Sequence, residues 1–159
     1  MHDATPINML EKRRIEAAIL GEVYDVLLER HGKDEAEVVI GAAVMKSAST
    51  QAGEMRDQQK DHDLLSLAAL TKQWEAGGAL KRDIHVKTAE RYEFDMVHCA
   101  YAEMYKEMGL GHIGHLLSCI RDQNFAAGFN PDIELEVTQT IMKGAPHCDF
   151  RYRMNKTKP

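Results

Sequence analysis

A short segment near residue 119 brings together the side-chain types that nucleophilic and acid/base chemistry require. It contains, in order, His112, His115, Cys119 and Asp122. On an α-helix, which turns about 100° per residue, these four side chains lie within roughly 80° of one another. A thiol beside an imidazole and a carboxylate supplies a nucleophile with a proton acceptor, and the same groups can hold a metal ion. The segment therefore indicates a catalytic or metal site, and its plainer alternative is a solvated polar face with an incidental cysteine.

Two further histidine–cysteine pairs stand at the ends of predicted strands. His98 precedes Cys99, and His147 precedes Cys148. Cys99 is predicted to open a helix, whose positive end lowers the pKa of a thiol. Cys148 shares its strand face with apolar residues, whereas His147 points to the opposite face because strand side chains alternate. Both pairs are candidate site residues, and the alternative is a packed thiol beside a hydrogen-bonded histidine.

The composition restricts the classes of function. The chain has 159 residues and a formal net charge of -5, so it lacks the basic stripe that nucleic-acid phosphates require. No apolar run approaches the roughly 20 residues that cross a bilayer. The three cysteines are an odd number at wide spacing, which favours free thiols in a reducing compartment. We therefore expect a single cytoplasmic domain over residues 1–159 that binds neither nucleic acid nor membrane.

The elements that position these side chains begin with a helical N-terminal half, over residues 6–76. The first helix is predicted over residues 6–31, with a cap at Thr5 and its end at Gly32. Its apolar residues recur at helical spacing. They are Ile15, Ile19, Val23, Val26 and Leu27. Two more helices are predicted after caps at Asp34 and Asp63.

The hydrophobic period changes from 3.6 to 2 near Ile84, which predicts strands in the second half. The predicted strands cover residues 84–88, 91–96, 133–137 and 148–153, with helices at 99–108 and 112–123 between the two hairpins. Residues 80–153 therefore form a sheet-containing part. We predict an α+β fold in which a four-stranded, largely antiparallel sheet has helices packed on one face.

An ordered series of short motifs runs through this second half. It consists of CIRD at residues 119–122, GFNP at 128–131, Gly144 and CDFRY at 148–152, preceded by Cys99, Ala102, Glu103 and Gly109. The series resembles the L-2-amino-thiazoline-4-carboxylate hydrolase family. The resemblance implies hydrolysis of L-2-amino-thiazoline-4-carboxylate to N-carbamoyl-L-cysteine, and it places Cys99, Cys119, Asp122 and Cys148 at motif positions.

Such a reaction adds water to an amidine-like carbon and breaks a ring bond, so it needs a nucleophile and a proton shuttle. We expect Cys119 to be the nucleophile, ahead of Cys99 and Cys148. The objection to Cys119 is its place near the C-terminal end of the predicted helix, where the helix dipole raises the pKa of a thiol. A neighbouring imidazolium can outweigh that effect.

The expected base is a histidine. His115 lies one helical turn before Cys119, and His98 and His147 are the alternatives from the sheet. Asp122 is expected to orient the base or to donate a proton. The expected partner is a small-molecule substrate, and nothing in the sequence excludes a homo-oligomer.

Two other functions stay open. In a metal-assisted hydrolase, His112, His115 and Cys119 would hold an ion that activates water. In a non-catalytic module that binds a small molecule, the cysteines would be packing residues. The chain contains no GxGxxG, Walker, CxxC or HExxH signature, so we expect no cofactor and no tightly bound metal.

Overall fold

The N-terminal half of the chain is helical, as predicted. The computed structural model describes residues 5–155. The helices of this half are α1 (Met9–His31), α2 (Lys33–Asp57) and α3 (Leu64–Thr71). The predicted cap at Asp63 is confirmed, because its side chain accepts a hydrogen bond from the Ser66 N–H at 2.9 Å. None of the helices within residues 5–155 is long and apolar enough to cross a membrane.

Helix α1 begins later than predicted. The Asn8 side chain accepts a hydrogen bond from the Glu11 N–H at 3.0 Å, so Asn8 is the cap and the predicted cap at Thr5 is wrong. Gly32 ends the helix as predicted, with a φ of 84° that glycine adopts without strain. Because Gly32 also directly precedes α2, Asp34 lies inside the first turn of α2 and is not its cap.

Helix α1 turns a mixture of large, small and charged residues toward the protein interior. Its buried residues are Met9, Arg13, Ala17, Gly21 and Tyr24. Four of the five apolar residues whose spacing predicts the helix lie on its solvent side instead, whereas Leu27 is partly buried against the core. Exposed fractions between 41% and 67% are found for Ile15, Ile19, Val23 and Val26. Since Arg13 is only 6% exposed, α1 delivers a buried guanidinium group to the core.

Four strands form one antiparallel sheet, which confirms the predicted α+β fold. The strands are β1 (Leu80–Lys87), β2 (Arg91–Cys99), β3 (Ile133–Glu136) and β4 (Cys148–Met154). Their order across the sheet is β1-β2-β4-β3, and each neighbouring pair is antiparallel. The two predicted hairpins are therefore joined through the pairing of β2 with β4.

The segment predicted as one helix over residues 112–123 is divided in the structure. After α4 (Ala100–Glu107), a π-helical turn spans His115–Cys119 and α5 spans Arg121–Phe129. The Ile120 N–H donates to the His115 carbonyl at 3.0 Å, five residues back. A π turn inserts one residue into a helix, so it rotates the residues on its two sides by about 100° relative to each other. The predicted face that carries both His112 and Asp122 therefore does not form.

The inner face of the sheet is aromatic and carries the helices. Facing pairs on β2 and β4 are Tyr92 and Tyr152, Phe94 and Phe150, and Met96 and Cys148, all of them buried. Residues of α3 and α5 belong to the same core. The outer face is charged, and there Arg151 donates to Asp95 at 2.9 Å. The helices thus pack on one face, as predicted, and Cys148 points into the core.

Close packing between α2 and α5 gives a stability prediction. A Cβ atom added at Gly128 would lie 3.0 Å from Ala52 Cβ and 3.1 Å from the Ser49 carbonyl oxygen. We expect Gly128→Ala to lower the free energy of unfolding by about 1–3 kcal/mol, because backbone atoms of α2 must move. Urea unfolding followed by circular dichroism measures this change.

The matched control for Gly128→Ala is Gly53→Ala in α2. A Cβ atom at Gly53 meets nothing within 4 Å, so alanine there is expected to raise the free energy of unfolding by up to about 1 kcal/mol. Equal effects at the two positions would show that α5 is not held against α2 by this contact.

Candidate functional site

One cavity between the helices and the inner face of the sheet brings the three cysteines together. Cys99, Cys119 and Cys148 all line it, and so does Asp122. The cavity volume is about 110 Å³. An apolar cavity of about 150 Å³ holds a benzene molecule, so this smaller space limits an occupant to about the size of one small ring.

The elements that meet at the cavity explain why residues so far apart in sequence converge. Cys99 ends β2 and caps α4, while Cys148 begins β4 opposite Met96. Cys119 ends the π turn and Asp122 lies in the first turn of α5. The order of the motifs along the chain therefore reflects one site assembled from two strand ends and one helix start.

A β-bulge decides which residue of the first histidine–cysteine pair reaches the cavity. Lys81 of β1 pairs with His98, whereas the next residue of β1 pairs with Met96, so Val97 is the extra residue. A bulge shifts the alternation of a strand by one position. Cys99 consequently lines the cavity, while His98 is half exposed and lies 3.8 Å from the Glu103 carboxylate.

The other histidines also lie outside the cavity. The His147 side chain is on the outer side of the sheet, where its Nε2 atom is 3.8 Å from Asp95 Oδ2. His112 packs its ring edge against Tyr24 at a centroid distance of 5.8 Å. Among residues 5–155, no histidine lines the cavity, and no three His, Cys, Asp or Glu side chains are grouped so as to hold a metal ion. The alternative metal site of His112, His115 and Cys119 is therefore not assembled among these residues.

Of the candidate histidines, His115 shares a surface groove with two of the cavity residues. It borders this groove together with Cys119, Asp122 and Lys143. Partial burial lowers the pKa of His115, and the nearby charge of Lys143 acts in the same direction. Because Cys119 and Asp122 line both the groove and the cavity, these two residues separate the interior from the surface.

The three thiols are protonated at neutral pH. Burial raises the pKa of Cys119 strongly, and the charge of Asp122 adds to the effect. Burial also raises the pKa of Cys148 to about 11. The pKa of Cys99 is raised by burial as well, although backbone N–H groups at the start of α4 oppose the shift. A preformed thiolate is therefore disfavoured at all three positions.

This electrostatic state predicts slow alkylation. In the folded protein at pH 7.5, we expect iodoacetamide to modify each of the three cysteines at least about tenfold more slowly than free cysteine, because the thiolate is the reactive form. Mass spectrometry of tryptic peptides measures the three rates separately. Protein unfolded in urea is the control and should label fully. One cysteine that reacts as fast as free cysteine in the folded chain would contradict the prediction.

Unlike the three thiols, the Asp122 carboxyl group has a pKa close to neutral pH. Burial raises the pKa of Asp122 to about 7, against the opposing charges of Arg82, Arg121 and Arg13. A carboxyl group with a pKa near the working pH can both accept and donate a proton. Asp122 is thus the cavity group best suited to acid/base chemistry.

The shifted pKa of Asp122 also predicts a pH-dependent stability. Because the folded protein binds the Asp122 proton more tightly than the unfolded chain does, this residue lowers stability as the pH rises from about 4 to about 7. We expect Asp122→Asn to gain stability relative to wild type over that range, by up to about 1.4 kcal/mol per pH unit. Urea unfolding of both proteins at several pH values measures the difference. A difference that does not vary with pH would contradict it.

A charged cluster on one wall of the cavity was not predicted from the sequence. Both Arg13 and Arg121 line the cavity and are at most 8% exposed. Glu16 Oε2 lies 2.9 Å from Arg13 Nη1 and 3.1 Å from Arg121 Nη2. Arg121 is part of the CIRD motif, but the motif does not predict that its side chain points into the cavity wall. The only sequence signal for Arg13 is its place among small residues on α1.

Comparison with known proteins bears on the family and on the fold. A family model described as L-2-amino-thiazoline-4-carboxylic acid hydrolase matches residues 12–152. No curated protein matches the sequence. Among solved structures, the fold is similar to that in the crystal structure of the phenol-responsive sensory domain of the transcription activator PoxR with phenol. That match has a TM-score of 0.53 and 12% identity, and it covers 92% of this chain and 76% of the other.

Proposed function

This chain belongs to the L-2-amino-thiazoline-4-carboxylic acid hydrolase family, and on that premise we propose that it hydrolyses a small cyclic C–N substrate of the amidine or thiazoline type. One observation carries the proposal. Three cysteines and an aspartate with a pKa near 7 line a single cavity of about 110 Å³. The size of the cavity limits the substrate to about one small ring, and its side chains offer both a nucleophile and a proton shuttle.

The proposed first step is attack by the Cys119 thiol on the amidine carbon of the ring. As the S–C bond forms, the thiol proton passes to the Asp122 carboxylate. For 2-amino-thiazoline-4-carboxylate, the ring C–S bond then breaks and the leaving sulfur takes the proton from Asp122. Because the thiol is protonated at rest, the base must act while the bond forms, and a preformed thiolate is not required.

The proposed second step releases the product. Water attacks the same carbon and gives its proton to Asp122, and the bond to Cys119 breaks as its sulfur takes that proton. The net change is addition of one water and cleavage of the ring C–S bond, which yields N-carbamoyl-L-cysteine. Asp122 takes the role that the sequence assigned to a histidine, because the histidines of residues 5–155 lie outside the cavity.

The surface groove supports this assignment by giving solvent a route to the reacting groups. Cys119 and Asp122 line both spaces, so water that enters along the groove reaches them first. His115 and Lys143 stand at the groove side. In this proposal they lie on the path of the substrate and do not take part in proton transfer within the cavity.

A second candidate function is binding without chemistry. The observation that favours it is the protonated state of the three thiols, together with a fold similar to that of a phenol-responsive sensory domain. In this alternative the cavity holds a small ring and leaves it unchanged.

Product analysis separates the two candidates. Wild-type protein is incubated with 2-amino-thiazoline-4-carboxylate, and the mixture is examined by mass spectrometry and with a thiol reagent. Hydrolysis gives a product heavier by one water with a new free thiol. A ligand that binds, as detected by calorimetry, but is recovered unchanged would overturn the hydrolase and favour the binding module.

A further inference from the structure

The buried guanidinium group of Arg121 has one nitrogen without a partner. Its Nε atom donates to the Leu117 carbonyl at 3.0 Å and its Nη2 atom to Glu16 at 3.1 Å. Its Nη1 atom is buried and forms no hydrogen bond within residues 5–155. Leaving a buried donor of a charged group unpaired is costly. Because Arg121 lines the cavity, the missing partner is expected to come from a ligand.

A second buried donor at the cavity also lacks a hydrogen-bond acceptor. The indole Nε1 atom of Trp74 is also buried and without a hydrogen bond in the described part of the chain. Trp74 lines the cavity as well and packs edge-on against Phe125. Two unpaired donors on the walls of one small cavity point to a ligand that carries hydrogen-bond acceptors.

The charges on the wall indicate that this acceptor is an anion. Arg13 and Arg121 share the carboxylate of Glu16, whose side chain is 40% exposed. The Gln51 side chain accepts from Arg13 Nη2 at 3.4 Å and is neutral. No hydrogen bond joins either guanidinium group to Asp122 within residues 5–155. Two buried cations thus have one partly exposed anion as their direct partner, and a ligand carboxylate would restore the balance.

We propose that Arg121 Nη1, supported by the charge of Arg13, binds a carboxylate on the ligand, and that Trp74 Nε1 supplies a second donor. These groups form the carboxylate subsite of the cavity and give it a preference for an anionic ring over a neutral ring of the same shape. This inference rests on the proposed function in taking the ligand to be the substrate. The binding preference itself needs no turnover, so it can be tested separately.

The test uses two ligands of the same shape that this chemistry does not hydrolyse. Thiazole-4-carboxylate is anionic, and thiazole-4-carboxamide is its neutral counterpart. By isothermal titration calorimetry at pH 7, we expect wild type to bind the carboxylate at least about tenfold more tightly, as a charge-assisted hydrogen bond in a buried site requires. Equal affinity for the two ligands would overturn the proposal even if the protein hydrolyses other rings.

Two variants with opposite expected effects test whether Arg121 and its neighbours cause the preference for the carboxylate over the carboxamide. Arg121→Met should reduce the ratio of the two affinities to near one. Glu16→Gln removes the competing carboxylate and should raise the ratio, an effect that a loss of folding cannot imitate. Arg14→Met is the matched control, because Arg14 is half exposed on the same helix, pairs with Glu11 and does not line the cavity. A ratio unchanged by both Arg121→Met and Glu16→Gln would overturn the subsite.

Discussion

Replacing Asp122 by asparagine is expected to lower kcat by about 10²–10⁴-fold while substrate affinity changes little. Asparagine has nearly the shape of the carboxyl group, but it cannot accept the proton of the Cys119 thiol or return it to the leaving sulfur. General acid–base catalysis typically contributes a factor of that size. Steady-state kinetics on 2-amino-thiazoline-4-carboxylate, with binding measured separately by calorimetry, resolves kcat from affinity.

The control for Asp122→Asn is Asp149→Asn, which changes the carboxylate of the CDFRY motif. Asp149 accepts hydrogen bonds from the N–H groups of Thr138 and Gln139 at 2.8 and 2.9 Å, and these bonds hold the loop after β3. We expect this variant to lose stability and to keep its turnover. If Asp122→Asn works as fast as wild type, the acid/base role of Asp122 is excluded.

Replacing Cys119 by serine is expected to reduce turnover by about a thousandfold or more, as loss of a covalent nucleophile does in other hydrolases. A hydroxyl group is close in size to a thiol, so the packing of the π turn should survive. Serine is a much weaker acid and nucleophile, and proton transfer to Asp122 becomes harder. Single-turnover kinetics with excess enzyme measures the chemical step directly.

Cys148→Ser and Cys99→Ser rank the three thiols. The Cys148 sulfur accepts a hydrogen bond from the Ile141 N–H at 3.2 Å and is buried, so its replacement should mainly lower stability. For both variants we expect a loss of turnover of at most about tenfold at a temperature where they are folded. Near wild-type rates in Cys119→Ser would remove covalent catalysis and leave water activated by Asp122 as the attacking group.

The fold could be predicted from the sequence where a local signal has a physical cause. Alternation of apolar and polar residues predicts the strands of both hairpins, because only one face of the sheet is covered by helices. The side-chain cap at Asp63 and the positive φ at Gly32 set helix boundaries through bonds between near neighbours. These signals do not depend on how distant elements pack.

The buried face of α1 could not be predicted in this way. Most of its predicted apolar stripe faces solvent, and its inward face includes Ala17, Gly21 and Arg13. A hydrophobic period predicts that a helix is amphipathic. It does not predict which face is buried, because packing against α2 and α4 requires small residues where the helices approach closely. Glu16, the ionic partner of Arg13, lies one turn away on the same helix, but the burial of Arg13 depends on the tertiary fold, which brings Gln51 to Arg13 and Arg121 to Glu16.

The sequence motifs indicate the cysteines that line the cavity, but they do not indicate that the candidate histidines lie outside it. The motif order pointed to Cys99, Cys119 and Cys148, but their meeting in one cavity depends on the pairing of β2 with β4. His98 and His147 are directed elsewhere by the bulge at Val97 and by the alternation of β4. The π turn at His115–Cys119 breaks the helical face on which His115 was expected to serve Cys119. One inserted residue is invisible to periodicity.

The pH dependence of kcat/KM on 2-amino-thiazoline-4-carboxylate tests most directly the central claim that Asp122, and not a preformed thiolate, drives hydrolysis in the cavity. This ratio reports ionisations of the free enzyme, in which burial raises the pKa of Asp122 to about 7. After allowance for the separately measured ionisation of the substrate, we expect activity to rise about tenfold per pH unit below pH 7 and then to level off. Activity that keeps rising through the usual thiol pKa of about 8.5 would contradict it.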